Sequence, residues 1–194
     1  MTKQQRAKKL HIGCGNKILK GYVNTDFVMH GGVDHTLDIN KRFPFKDNTF
    51  DEVLAIHILE HSKDLFFTMG EIWRVLKPTG ILIAELPYYH TNAIANIDHR
   101  YHFDLHSLNP FLKRTHPNYY KYGKEKGTYP TGYTDKLFVM KHAKLNPTSL
   151  GRLIPPIPLK MRFIIDLRHL ISHLVGDVLE SITFELAPVK DEKT

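Results

Sequence analysis

Short β-prone runs, rather than long amphipathic stretches, dominate the first part of the chain. Lys9 to Ile12 leads into Gly13-Cys14-Gly15, and Tyr22 to Asp26 is a second such run that ends on an acid. Val33 to Ile39 fits a short third strand, Phe43 to Asn48 is dense in turn formers, and Asp51 to Ile56 predicts a fourth strand. From Ser62 onward, Leu65, Phe66, Met69, Ile72, Trp73 and Leu76 recur at helical spacing, with Ser62 placed to cap and Asp64 in the first turn. Lys77-Pro78-Thr79-Gly80 stops that helix, and the apolar run Ile81 to Leu86 has the composition of a buried central strand. Strands joined by such crossovers predict a parallel sheet.

The pattern changes beyond Pro87. A loop dense in His and Tyr precedes a helix expected near Ser107 to Thr115, with Pro110 in its first turn. Pro117 to Asp135 is rich in Tyr, Lys, Gly and Pro, lacks periodicity, and reads as a lid or a long surface loop. Lys136 to Lys144 and Ser181 to Val189 are expected as two late strands. Between them, Leu159, Phe163, Ile164, Leu167, Leu170, Ile171, Leu174 and Val178 form an apolar stripe edged by Arg162, Arg168, His169 and His173. The stripe predicts an amphipathic helix that covers the sheet, with peripheral membrane contact or subunit pairing as alternative uses.

Length and composition narrow this picture further. A chain of 194 residues with 42% hydrophobic and 24% charged positions is expected to fold as a single domain, 1–194, around one core. No apolar stretch approaches the roughly 20 residues that span a bilayer, and Met1 to Lys9 is basic without a following apolar segment, so the expected location is cytoplasmic. Cys14 is the single cysteine, which excludes an internal disulfide and a multi-cysteine zinc site. A net charge of +7 favours an anionic partner, although the charges are scattered and a solvated basic surface accounts for them equally well.

A glycine turn directly after a strand lets the backbone reverse sharply and approach a ligand. The dinucleotide fingerprint requires a third glycine where Ile18 stands, and a phosphate-binding helix before the next strand. Asn16 to Gly21 is too short for that helix, which points away from NAD and FAD. A nucleoside cofactor without phosphates asks instead for a carboxylate facing the ribose hydroxyls and an acceptor plus a backbone amide facing adenine. Asp26 and the pair Asp38-Ile39 are placed to supply them.

Leu10-His11-Ile12-Gly13-Cys14-Gly15-Asn16 to Asn24-Thr25-Asp26 resembles the first two motifs of class I S-adenosylmethionine-dependent methyltransferases. Leu37-Asp38, Phe43 to Asp51 and Ile56-His57-Ile58-Leu59-Glu60-His61 resemble the third and fourth, and Arg74 to Leu82 is similar to the helix, turn and strand that follow. The resemblance implies an α/β, Rossmann-like methyltransferase fold with a seven-strand, mostly parallel sheet, an antiparallel seventh strand and helices on both faces. It implies a cofactor-binding half over residues 9–88 and a substrate-side half over 89–194. S-adenosyl-L-methionine would be the cofactor: Gly13, Cys14 and Gly15 would line its methionine moiety, Asp26 its ribose, Asp38 and Ile39 its adenine, and His57 its sulfonium. The chain departs from the pattern at His11, where the family commonly has an acid, and at Lys17, where the turn commonly has a third small residue.

Methyl transfer is an in-line displacement, so the protein mainly positions the acceptor and supplies a base only for some acceptors. His57, His61, His90, His99 and His102 are candidates, with His99 and Arg100 favoured as substrate-facing because their loop opens at the carboxyl edge of the sheet. His99, His102 and His106 lack the helical spacing of a zinc site, and no metal is expected. Interleaved tyrosines and lysines over Tyr119 to Tyr129 are compatible with nucleic acid, but a solvated lid explains them as well. The expected activity is methyl transfer to an oxygen or nitrogen of a small polar or anionic molecule, such as a sugar. A non-catalytic S-adenosylmethionine-binding or partner-binding module and a nucleic-acid methyltransferase are the alternatives, and the oligomeric state is open.

Overall fold

The computed structural model describes residues 7–89, 91, 95–113, 133–154, 158–160, 164–166, 171 and 178–190. The N-terminal runs become strands β1 (Lys9–Ile12), β2 (Tyr22–Asp26), β3 (His35–Thr36), β4 (Phe50–Ile56) and β5 (Leu76–Pro87), with helix α1 (Leu65–Val75) between the last two. Strands β6 (Phe138–Pro147) and β9 (Leu179–Pro188) complete a seven-stranded sheet in the order β3-β2-β1-β4-β5-β9-β6. The first five are parallel to one another, while β9 runs antiparallel to both β5 and β6. This is the Rossmann-like arrangement that the resemblance implies.

Alternation along the strands builds the core. Leu10 and Ile12, Val53 and Ala55, Leu82 to Leu86 at every second position, and Ile182 to Leu186 likewise are all fully buried in one cluster. Period-two alternation places each set on one sheet face, and α1 covers that face with Leu65, Met69, Ile72 and Val75. Each fully buried aliphatic side chain contributes about 1.5–3 kcal/mol. No helix among the described residues is long and apolar enough to cross a membrane.

Several boundaries differ from the sequence reading. The cap of α1 is Asp64, whose carboxylate accepts from the Phe66 and Phe67 amides. Ser62 is buried instead, its hydroxyl bonded to that of Thr68. The third strand shrinks to His35–Thr36, since only two residues pair with β2 before the chain bends at Asp38. The helix expected over 107–115 is a single 3-10 turn, Asn109–Phe111, because Leu112 is already extended and Lys113 donates to the Phe138 carbonyl. The expected helix from Leu159 is replaced at its start by an antiparallel hairpin of β7 (Pro158–Lys160) and β8 (Ile164–Asp166). The rest of that stripe, except Ile164, Ile171 and Val178, lies outside the described residues, as do 117–132 of the expected lid and His90. Ile171, within that stripe, is helical, α1 lies on one face of the sheet, and the described residues hold no helix between β1 and β2.

The far end of α1 is fastened by Trp73 and Lys190. The indole N–H faces the carbonyls of Leu137 and Val189, at 3.1 and 3.2 Å, which joins the helix to the ends of β6 and β9. The Lys190 ammonium lies 4.4 Å from the Trp73 ring centroid and donates to the Asn48 side chain and to the Arg74 and Leu76 carbonyls. A cation here complements the helix C-terminus. Burial nevertheless pushes Lys190 down to about 8, with Asp47 opposing and Arg74 and Lys136 adding to the fall. Between about pH 8 and the unfolded value near 10.5 the unfolded chain holds more protons than the folded one, so stability rises with pH across that window. The urea midpoint is therefore expected to rise, relative to a Lys190→Met variant, from pH 7.5 to 9.5. Parallel curves for the two proteins would contradict this.

Candidate active site

The carboxyl ends of β1, β2, β4 and β5 bring the sequence-predicted groups to one edge of the sheet, where α/β folds bind ligands. Beyond β1 the backbone turns through Gly13 and Gly15, both with positive φ, +63° and +48°. A β-carbon on Gly13 would stand 2.6 Å from the Ile58 side chain, so glycine there lets the β1 turn and the β4 turn pack directly together. A β-carbon on Gly15 would meet nothing within 4 Å, which places open space above the turn. The Cys14 amide donates to the Thr25 carbonyl at 2.9 Å, and burial pushes its thiol upward, away from thiolate chemistry.

Asp26 closes the turn from the end of β2. Its Oδ2 accepts from the Gly15 amide at 2.8 Å and its Oδ1 from the Val28 amide at 3.2 Å. A carboxylate has about four acceptor positions, so these two bonds leave room for a diol. Asp38 accepts from the Asn40 amide at 2.9 Å and side chain at 3.2 Å, with Lys41 3.5 Å away. The Asn40 amide, with smaller help from its side chain and Lys41, holds the Asp38 carboxyl below its usual range against burial. Ile39 is buried and its carbonyl accepts from Thr68, which ties this loop to α1. An open space above glycines, a carboxylate beside it and a second acid one loop away fit a nucleoside without phosphates.

His57 follows β4 with φ of +49°, an unusual backbone for a residue with a β-carbon. Its side chain is 44% exposed, with Nδ1 3.7 Å from Glu60 and Nε2 3.8 Å from Glu85. Glu60 raises the imidazole above its ordinary value, burial opposes this, and Glu85 adds to the rise. The turn Leu59–His61 follows, and the loop after β5 returns onto it: the Arg100 amide donates to the Glu60 carbonyl at 2.8 Å. His61 and His99 thereby meet, ring centroids 4.8 Å apart, while the Arg100 and His102 side chains are exposed.

His99 thus groups with His61 and Glu60 rather than with His102 and His106. Glu60 was not singled out from the sequence as a site residue, although an acid between the two histidines of Ile56 to His61 was the available signal. His11, in the place where the resemblance implies an acid, is buried and held down in pKa by desolvation.

Residues 30–84 match a family model described as a methyltransferase domain. The chain is 32% identical to cycloartenol-C-24-methyltransferase of Arabidopsis thaliana over 99 residues, covering 39% of this chain and 30% of that protein. It is 28% identical to glycine/sarcosine/dimethylglycine N-methyltransferase of Actinopolyspora halophila over 111 residues, covering 55% of this chain and 18% of that protein. The chain therefore spans less than a third of the length of these curated relatives. A solved S-adenosylmethionine-dependent methyltransferase from Archaeoglobus fulgidus shares the fold with TM-score 0.54 and 15% identity, over 94% of this chain and 86% of that one. The YcgJ protein of Bacillus subtilis does so with TM-score 0.53 and 12% identity, over 96% and 93%.

Proposed function

We propose, from a chain that has the class I methyltransferase fold and matches the methyltransferase-domain family over residues 30–84, that this protein transfers a methyl group from S-adenosylmethionine to a small polar acceptor. The observation that carries this reading is the glycine turn locked to Asp26 at the carboxyl edge, with Ile58 packed against Gly13. When bound, S-adenosylmethionine supplies an electrophilic methyl on a sulfonium.

Gly13, Cys14 and Gly15 shape the wall against its methionine end, Asp26 accepts from the ribose, and Asp38 with Ile39 borders the adenine. His57 stands where the reacting atoms would meet, and with His61, His99 and Arg100 it makes the acceptor side polar. An acceptor oxygen or nitrogen loses a proton as its lone pair is spent on the new bond, and a histidine at this edge is placed to take it. A net charge of +7 and the exposed Arg100 support a polar or anionic acceptor, such as a sugar or an organic acid.

The test is calorimetric titration with S-adenosylmethionine and S-adenosylhomocysteine, followed by labelled-methyl transfer to a panel of hydroxylated and amino acceptors. Binding near micromolar affinity, about −8 kcal/mol, is expected. Absence of binding to both compounds would sink the reading. Binding without transfer to any acceptor would favour a second one, a non-catalytic cofactor-binding module, which the replacement of the family acid by a buried His11 supports.

A further inference from the structure

We propose that Glu60, His61 and His99 form a binding site for a divalent first-row transition metal ion, Zn2+ in the first instance, on the acceptor side of this edge. Their candidate ligand atoms all lie within 4.8 Å of one another. Ligands on a tetrahedral zinc sit about 3.3 Å apart, given metal–ligand bonds of about 2.0–2.1 Å, so the three need close by no more than roughly 1.5 Å. His99 lies in a loop, where such a movement is easily made.

The second and independent observation is Glu60 itself. Its side chain is wholly buried, yet neither carboxylate oxygen has a hydrogen-bond partner among the described residues. The His57 Nδ1, 3.7 Å from Oε1, gives the carboxylate a charged neighbour but no hydrogen bond. Buried carboxylates ordinarily also have their oxygens hydrogen-bonded or bound to a metal, because burial leaves their lone pairs without water.

One of the two imidazoles is oriented for a metal. Asp98 Oδ2 lies 3.2 Å from His61 Nδ1, where it accepts from the ring N–H, whereas the Asn96 amide nitrogen, 3.3 Å from His99 Nε2, is a donor. An accepting carboxylate on one ring nitrogen orients the ring and leaves the other nitrogen for an ion, the arrangement that surrounds metal-bound histidines. Two imidazoles and one carboxylate suit zinc, iron or manganese, and a set of three protein ligands leaves a position for an outside oxygen. On the methyltransferase reading, on which this last step rests, that position takes a hydroxyl or carboxylate oxygen of the acceptor. The metal site itself does not depend on that reading. Cys14, Asp26 and His30 make a second grouping of ligand atoms, but Asp26 there already accepts from Gly15 and Val28.

The experiment is equilibrium dialysis of the whole, tag-free chain against Zn2+ and Mn2+, with bound metal quantified and S-adenosylhomocysteine binding measured on the same preparations. One Zn2+ per chain is expected, weakened at least tenfold by His99→Ala and by Glu60→Gln and unchanged by His102→Ala, an exposed histidine of the same loop. His99→Ala keeps the test decisive if the buried Glu60→Gln variant does not fold. No stoichiometric zinc, or an equal loss in His102→Ala, would overturn the proposal. S-adenosylhomocysteine binding without zinc would sink the metal site alone, and zinc without S-adenosylhomocysteine would sink the methyltransferase reading alone.

Discussion

Asp26→Ala is expected to weaken S-adenosylhomocysteine binding by about 100-fold or more. Each hydrogen bond to a charged acceptor is worth about 1.5–3 kcal/mol, and a ribose diol offers two donors to one carboxylate. The loss also has a structural share, because Oδ2 holds the Gly15 amide and Oδ1 the Val28 amide. Thermal melts separate the two shares: a small fall in Tm with a large fall in affinity assigns the effect to the ligand. Asp26→Asn keeps one acceptor oxygen and is expected to fall between the two proteins. Affinity within threefold of the unsubstituted chain, measured by calorimetry, would refute the ribose role.

The second large effect is on stability. Arg74 reaches Glu71 through two bonds of 2.8 and 2.6 Å, Asp47 at 2.7 Å, and the Phe45 and Phe43 carbonyls at 2.7 and 3.1 Å. Glu71 in turn accepts from the Phe43 amide at 2.8 Å. Burial acts to raise the Glu71 carboxyl, but Arg74 and the Phe43 amide together hold it below its usual value.

Arg74→Met leaves that carboxylate buried without its cation and two carbonyls without their donor. Breaking such a pair from one side costs about 3–5 kcal/mol. At about 2–4 °C per kcal/mol for a domain of this size, Tm is expected to fall by roughly 6–20 °C. Replacing both partners, Arg74→Met with Glu71→Met, is expected to recover much of the loss, since no lone charge then remains. A fall of less than 1 kcal/mol in the single variant would show that the network contributes little.

Much of the fold could be read from local patterns, and the failures have physical causes. Helix α1 was legible because its apolar residues repeat at helical spacing, and the parallel strands because short β-prone runs are bounded by turn formers. The antiparallel β9 was implied by resemblance alone, since strand direction leaves no mark on periodicity. Leu159 to Val178 was ambiguous at its start: the spacing fits a helix, but Pro155, Pro156 and Pro158 disfavour one and the β-branched pair Ile164-Ile165 favours the extended hairpin that forms. Ser62 looked like a cap, and tertiary packing instead gave its hydroxyl to Thr68 and the cap to Asp64. The glycine turn, Asp26 and His57, proposed above as part of a cofactor edge, were legible because each directly ends a strand or begins the turn after it. The Glu60, His61 and His99 cluster was not, because it depends on a loop from beyond β5 folding back over the turn after β4, which sequence spacing does not encode.

The placement of β9 between β5 and β6 bears on how the chain assembles during synthesis. Every other strand of the sheet leaves the ribosome before β9 does, so β5 waits with an unpaired edge and β6 has no neighbour to join. Sheet completion is an insertion rather than an addition, and it occurs only after residues 179–188 have emerged. The nascent chain thus carries the open β5 edge while residues 88–178 are made, the interval in which chaperone protection of a sheet protein matters most.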